Sequence, residues 1–470
     1  MVQSLTRFLM LFAVLWTATA QPAAAQALLR DAETEAFFED ASRPLIVAAG
    51  LDPKSVDIVL LQDKSINAFV AVGQRVYIHS GLIAEAASVG ELQGVIAHEL
   101  GHVAGGHVIR IGEGAKVATG IALISLILGA AAMAAGAGEA GAGIMQAGQQ
   151  AAMGKFLAFT RTQEASTDQA GAKYMEAAGI SGAGTLAFFK KLQNNEFRLA
   201  IPQEDSYART HPLNGERIAA LENVFENSPA WKKPYDAGLE ARFQRIKAKL
   251  VGFTEEPNRV LVLYPEGVQS EPALYARAYG WHRAGYPDRA SREIGKLVAK
   301  QPNDPFYLEL QGQILLESGK PREALAPLRL AVARAPDQPL IAATLGHALI
   351  STEDNAYSAE AKSLLKTAVG RDNNNPFAWY QLGIVYAREG DEPRAALATA
   401  ERYNLQGNPR LALSSAEMAM RGIPTGTPDW LRAQDISMVS CSEIFRDANG
   451  KPRRDRPRRG FAGCAEAAAR

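Results

Sequence analysis

The sequence predicts an α+β protein that is mostly α-helical, with a small sheet and helices first and a helical solenoid after. Three observations lead there. Short alternating β-branched runs cluster between residues 55 and 79. A long apolar stretch with helical periodicity follows from Glu91. Beyond that, prolines fall at 272, 305, 339, 376 and 409, spaced 33, 34, 37 and 33 residues apart, the period of stacked helix pairs.

Composition narrows the function. Among 470 residues, 50 Lys and Arg balance 50 Asp and Glu, so the formal net charge is zero. A general nucleic-acid binder needs a basic face to replace phosphate counterions, and that class is excluded. Hydrophobic residues at 47% and charged residues at 21% describe a globular chain rather than a disordered one. Two cysteines are too few for a disulfide-dense scaffold or a cysteine-only zinc site.

Residues 1–26 read as a signal peptide. Arg7 precedes the apolar run Phe8 to Ala18, and Ala23, Ala24 and Ala25 supply the small residues of a cleavage site near 25–27. The run falls short of the roughly 20 residues a membrane anchor needs. Export places the mature chain in an oxidising compartment, where Cys441 and Cys464 can bridge and staple the tail; two free thiols are the alternative.

A first domain is expected over residues 27–230. Its strands are Ser55 to Leu61, Ala68 to Val72 and Arg75 to His79, the last two joined by a hairpin turn at Gly73-Gln74. Its central helix runs from Glu91 to about Ile109, and Ser88 with Glu91 has the Ser-x-x-Glu pattern of a capping box.

A helical linker is expected over 231–268, a repeat domain over 269–425 and an irregular tail over 426–470. Within the repeats, Gly312, Gly346 and Gly383 each follow a proline by seven residues, and small residues recur where paired helices must touch. Each proline is read as stopping a second helix. The pattern resembles the tetratricopeptide repeat, whose stacked pairs form a concave surface; the implied role is to hold a peptide or protein partner. The 37-residue spacing fits a three-residue insertion near Asn355-Ala356-Tyr357. In the tail, Lys451, Arg453, Arg454, Arg456, Arg458 and Arg459 form a basic cluster, read as solvated, with anionic lipid or an acidic partner as the sharper alternative.

Chemistry enters at His98-Glu99-Leu100-Gly101-His102, an H-E-x-x-H string. On a helix, His98 and His102 project from one face one turn apart, so both imidazoles can reach one zinc ion. Glu99 lies beside the first ligand, placed to take a proton from water. The flanking Leu92, Val95, Ile96 and Leu100 bury the segment, and buried polar groups there need partners.

The third ligand is less direct. If the helix continues, His107 lies five positions past His102 and points about 140° away, which makes it structural. Glu164 and Asp168 share a helix face at i,i+4 spacing, so Glu164 can bind zinc while Asp168 orients a histidine. A solvated acidic face explains that spacing equally well.

Residues 67–217 resemble peptidase family M48, the HtpX-like gluzincins. The matching residues are Asn67-Ala68-Phe69, Ser80-Gly81-Leu82, the string at 98–102, the Glu164 and Asp168 pair, and Thr210-His211-Pro212 with Arg217. The resemblance implies one Zn²⁺ per chain held by His98, His102 and Glu164, with Glu99 as general base and Asp168 behind the ligands. It implies that Asn67, Ala68 and Phe69 pair with an extended substrate. His211, in exported members, can take the fourth zinc position and hold the enzyme inactive; hydrogen bonding to the reacting carbonyl is the alternative. Arg217 either neutralises the oxyanion or pairs with Asp168.

Residues 117–138 carry no charge. Their length permits a membrane span, but the alanine and glycine of the second half favour an apolar helix pair or loop over the zinc cleft, touching a membrane surface. The reading is therefore an exported, periplasmic zinc metalloendopeptidase that cleaves misfolded or misassembled envelope proteins, with repeats that bind substrates, outer-membrane proteins or their assembly machinery. The alternative is a chaperone or assembly scaffold with a self-inhibited site.

Overall fold

The computed structural model describes residues 27–71, 73–134, 137–199, 211–212 and 215–444; the signal segment 1–26, the basic cluster and Cys464 lie outside the described residues. The chain divides into two units. The first comprises residues up to Leu29 and Ala41–Tyr235, the second Arg30–Asp40 and Asp236 onward.

In the first unit the strands are β1 (Ala27–Leu29), β2 (Asp57–Gln62), β3 (Ala68–Ala71) and β4 (Arg75–His79), in the order β1-β2-β4-β3. β2 and β4 are parallel, and β3 pairs antiparallel with β4, with Phe69 opposite Tyr77. Gly73 and Gln74 both take positive φ, the twist a two-residue hairpin needs. Among the described residues β3 has a neighbour on one side only, which leaves the strand holding Ala68 and Phe69 at the sheet edge.

Helix Val89–Ala104 is the core of this unit, buried from Val89 through His102. Ser88 caps its start by accepting from the Glu91 amide. The Glu91 carboxylate does not reach back to Ser88; it accepts from the Ala87 amide and meets Lys191. The helix ends at Ala104, not near Ile109. Gly106 adopts φ +61°, a conformation glycine takes without a Cβ penalty, and the chain reverses into helix His107–Ala134. That helix and Gly138–Ala177 pack along each other as a pair. Close approach is set by small residues: a Cβ at Gly101 would lie 2.9 Å from the Thr167 carbonyl, and one at Gly171 3.1 Å from the Ala97 carbonyl.

The second unit is a succession of helix pairs: Glu271–Arg283 with Pro287–Lys300, Pro305–Glu317 with Pro321–Arg334, Pro339–Ser351 with Ser358–Arg371, Pro376–Arg388 with Glu392–Leu405, and Pro409–Gly422 with Pro428–Ile444. The repeat prolines do not stop second helices. They occupy the first turn of the helices that follow, where a missing N–H costs nothing. Asn355–Tyr357 forms a 3₁₀ turn inside the third pair.

The linker and the first part of the tail each carry a helix. Ala237–Thr254 fills the linker and packs on Glu271–Arg283. Pro428–Ile444 is a helix rather than irregular tail, burying Ala433, Ile436, Ser437, Ser440 and disulfide-bonded Cys441. Apart from Ile436, its buried side chains are alanine, serine and cysteine, so helical spacing was present without a strong apolar signal.

The segment Arg30–Asp40 belongs to the same unit through a dense polar network. Asp31 and Glu33 both meet Lys249, Tyr275 donates to Glu33 at 2.8 Å, and Arg245 pairs with Glu33 and bidentately with Asp304. Arg245 also stacks 4.1 Å over the Tyr307 ring.

Candidate metal centre and active site

Four side chains from three places in the sequence converge. His98 and His102 come from one face of helix Val89–Ala104, Glu164 from helix Gly138–Ala177, and His211 from the segment before helix Gly215–Glu226. One donor atom from each lies within 4.8 Å of all the others. Individual separations are tighter. His98 Nε2 is 3.2 Å from His102 Nε2 and 3.2 Å from His211 Nδ1. Glu164 oxygens lie 3.4 Å from His98 Nε2, 3.3 Å from His102 Nε2 and 3.2 Å from His211 Nδ1. A tetrahedron with metal–ligand bonds of about 2.0–2.1 Å has edges of about 3.3 Å. The separations given above, with Glu164 contributing either oxygen, are close to that length.

Neutral rings without a cation explain this arrangement poorly. His98 Nδ1 faces Asp168 at 2.9 Å, so the proton of a neutral ring sits there and the Nε2 lone pair points inward. His211 Nε2 faces the Ala68 carbonyl at 3.3 Å and donates to it, which leaves the Nδ1 lone pair pointing inward. Ring lone pairs and a carboxylate oxygen then meet, and a cation satisfies them together. Electrostatics agree. Burial lowers the His98 pKa, but hydrogen bonds with Asp168 and Glu164 outweigh it and raise the imidazole to about 10. Burial also raises Glu164, yet contacts with His102, His211 and His98 hold its carboxyl well below the usual range. The carboxylates require positive charge between the rings.

Asp168 is itself fixed. Arg217 Nε and Nη2 donate to its two oxygens at 2.6 and 2.8 Å. Burial would raise the Asp168 pKa; Arg217 and His98 hold it down. The guanidinium also lies 3.2 Å from Glu164 and donates to the His211 and Pro212 carbonyls. Arg217, a candidate catalytic group by sequence, is thus fully engaged as an anchor of Asp168 and of the chain carrying His211.

Glu99 is fully buried, with neither carboxylate oxygen hydrogen-bonded; its Oε1 lies 3.5 Å from His211 Nε2. Ala68, the first residue of β3, and Asn67 just before it are buried. His107 stands outside the four-donor cluster, but not in the direction a continuous helix would give it. Because the helix breaks after Ala104, it does not point 140° away but folds back, with Nδ1 3.0 Å from His102 Nδ1. Burial lowers its pKa to about 4, so it is neutral near pH 7. The glycine pair at 105–106 was the signal for this reversal.

A buried site with two histidines one turn apart, a carboxylate from a second helix and a glutamate beside the first ligand defines a zinc metallopeptidase. Residues 28–224 match the sequence profile described as Peptidase family M48. The chain is a zinc metalloendopeptidase that also carries a helical-repeat unit.

Relatives extend the similarity beyond that domain. The beta-barrel assembly-enhancing protease of Yersinia pestis is 24% identical over 396 residues, 82% of this chain and 79% of that protein. The protein of the same name from Escherichia coli strain K12 is 24% identical over 375 residues, 78% of this chain and 75% of that protein. The metalloprotease LoiP of the same strain is 31% identical over 170 residues, 36% of this chain and 62% of that protein. Among solved structures, YrrB, described as a TPR protein with an unusual peptide-binding site, has a TM-score of 0.31 at 19% identity, covering 37% of this chain and 91% of that one.

Proposed function

We propose that this chain is an exported periplasmic peptidase that cleaves misfolded or misassembled envelope proteins, and that His211 closes its zinc site at rest. The observation that carries this reading is the four-donor cluster with Glu99 directly behind it. The names of the relatives, and the basic, apolar and small-residue order of the first 26 residues, support the compartment and the substrate class.

His98, His102 and Glu164 are the permanent ligands in this reading. When bound, the zinc ion supplies Lewis acidity that acidifies water and polarises a carbonyl. The remaining work belongs to the chain. Glu99 takes a proton from the attacking water as its oxygen bonds to the peptide carbonyl carbon. Glu99 then delivers that proton to the departing amine as the C–N bond breaks. Asp168, clamped by Arg217, keeps His98 in the ligating tautomer. The free side of β3 accepts an extended substrate strand by main-chain hydrogen bonds beside Ala68.

A catalytic zinc site needs an open position, and a fourth protein ligand removes it. His211 therefore acts as a gate, and its displacement exposes both the metal face and Glu99. The repeat unit holds protein substrates or outer-membrane assembly partners. The apolar helix His107–Ala134 exposes Ile124, Ile127 and Leu128 and rests against a membrane surface. The closed cluster also favours a second reading, a chaperone or assembly scaffold whose protease is seldom released.

Two variants separate these readings. On an unfolded β-barrel protein, Glu99→Gln should abolish cleavage while retaining zinc, and His211→Ala should raise turnover. Full cleavage by Glu99→Gln would remove the proposed base. An inert His211→Ala variant that still binds zinc would leave the scaffold reading.

A further inference from the structure

We propose that His107 positions the metal ligand His102, by accepting the Nδ1–H hydrogen bond that fixes its ligating tautomer. This rests on the reading of the four-donor cluster as a zinc site. His102 presents Nε2 to that cluster. An imidazole ligating through Nε2 carries its proton on Nδ1, and a buried N–H requires an acceptor. The group facing His102 Nδ1 is His107 Nδ1, 3.0 Å away, with the rings at 77° to each other.

The roles follow from that contact. His102 Nδ1 donates, so His107 Nδ1 is the unprotonated atom and its own proton sits on Nε2. The Thr167 hydroxyl lies 3.1 Å from the same atom. Thr167 lies between Glu164 and Asp168 in sequence, so one side chain ties the start of helix His107–Ala134 to both ligand-bearing helices.

The local sequence is built for this. Gly106 turns the chain at φ +61°, and a Cβ at Gly105 would come within 2.5 Å of His107 Nε2. Only glycine at 105 leaves the ring its place over the end of the zinc helix. His107 is 7% exposed, a polar ring kept out of water by that placement. The two zinc histidines therefore have unlike supports: His98 leans on a carboxylate held by Arg217, His102 on a neutral imidazole.

The test measures zinc affinity by competition with a chromophoric chelator, independent of peptidase activity. His107→Phe should weaken zinc about 10–100-fold, the usual cost of losing such a partner. His107→Asn, whose Oδ1 can occupy the position of Nδ1, should recover most of it. Affinity within about twofold of wild type in His107→Phe, or no recovery in His107→Asn, would overturn the proposal. A measurement that needs no variant is ¹⁵N NMR of the zinc-loaded wild type. It should show His102 protonated at Nδ1 and His107 at Nε2; His102 bare at Nδ1 would refute the assignment. Failure of the wild type to bind zinc would instead bring down the metal site itself.

Discussion

Replacing Gly101 by alanine should damage the zinc site more than the fold. The added methyl would stand 2.9 Å from both the Thr167 carbonyl oxygen and its Cγ2, where ordinary contact begins at 3.4 Å. Helix Val89–Ala104 and the helix carrying Thr167 must therefore separate by about 0.5 Å, because one of the blocking atoms is backbone. Thr167 sits between Glu164 and Asp168, so the displacement carries both carboxylates away from the histidines. Metal sites tolerate about 0.2 Å in ligand distance. Overpacking costs about 1–3 kcal/mol, of which up to about 1 kcal/mol is returned by alanine's helix propensity. Zinc affinity, measured by chelator competition, should fall tenfold or more by about the same reasoning that governs ligand support. Gly120→Ala is the control: nothing lies within 4 Å of its added methyl, and zinc binding should be unchanged. Wild-type zinc affinity in Gly101→Ala would refute the claim that this glycine sets the ligand geometry.

Two further predictions concern the repeat unit. Gly285, Gly319 and Gly390 take positive φ two residues past the first helix of their pairs, and Glu353 at φ 57° takes the matching position in the third pair. Glu353→Gly should raise stability by about 1 kcal/mol in urea unfolding, since a side chain there is strained; a loss of stability would contradict this. Burial pushes the Glu309 carboxyl up to about 8 despite Lys249. The native state keeps a proton that the unfolded chain releases near pH 4.3, so this contribution to stability is complete below that pH and is lost as pH rises toward 8, by up to about 1.4 kcal/mol per unit. Glu309→Gln should flatten that slope, and an unchanged slope would count against the buried acid.

The sequence made the zinc helix legible because two chemical periodicities coincide there. The H-E-x-x-H spacing and the apolar positions Leu92, Val95, Ile96 and Leu100 both require one helix face. Glu164 was ambiguous by spacing, since an i,i+4 acidic pair also suits solvent; its burial depends on Gly101 and Gly171 bringing two helices together, which no local pattern reports. His107 was misplaced by assuming that the helix continued through Gly105-Gly106. The repeat period was visible in the prolines, but their role was inverted, because a proline between helices can end one or begin the next. Pro428–Ile444 escaped notice because, Ile436 apart, it buries alanine, cysteine and serine, and serine in a sequence points to the surface.

Zinc-edge X-ray absorption on the purified zinc-loaded protein tests the account at its centre. The expected spectrum shows one four-coordinate zinc per chain with three imidazoles and one carboxylate oxygen at about 2.0–2.1 Å, falling to two imidazoles in His211→Ala. A shell built from oxygen alone, or an imidazole count that His211→Ala leaves unchanged, would contradict it.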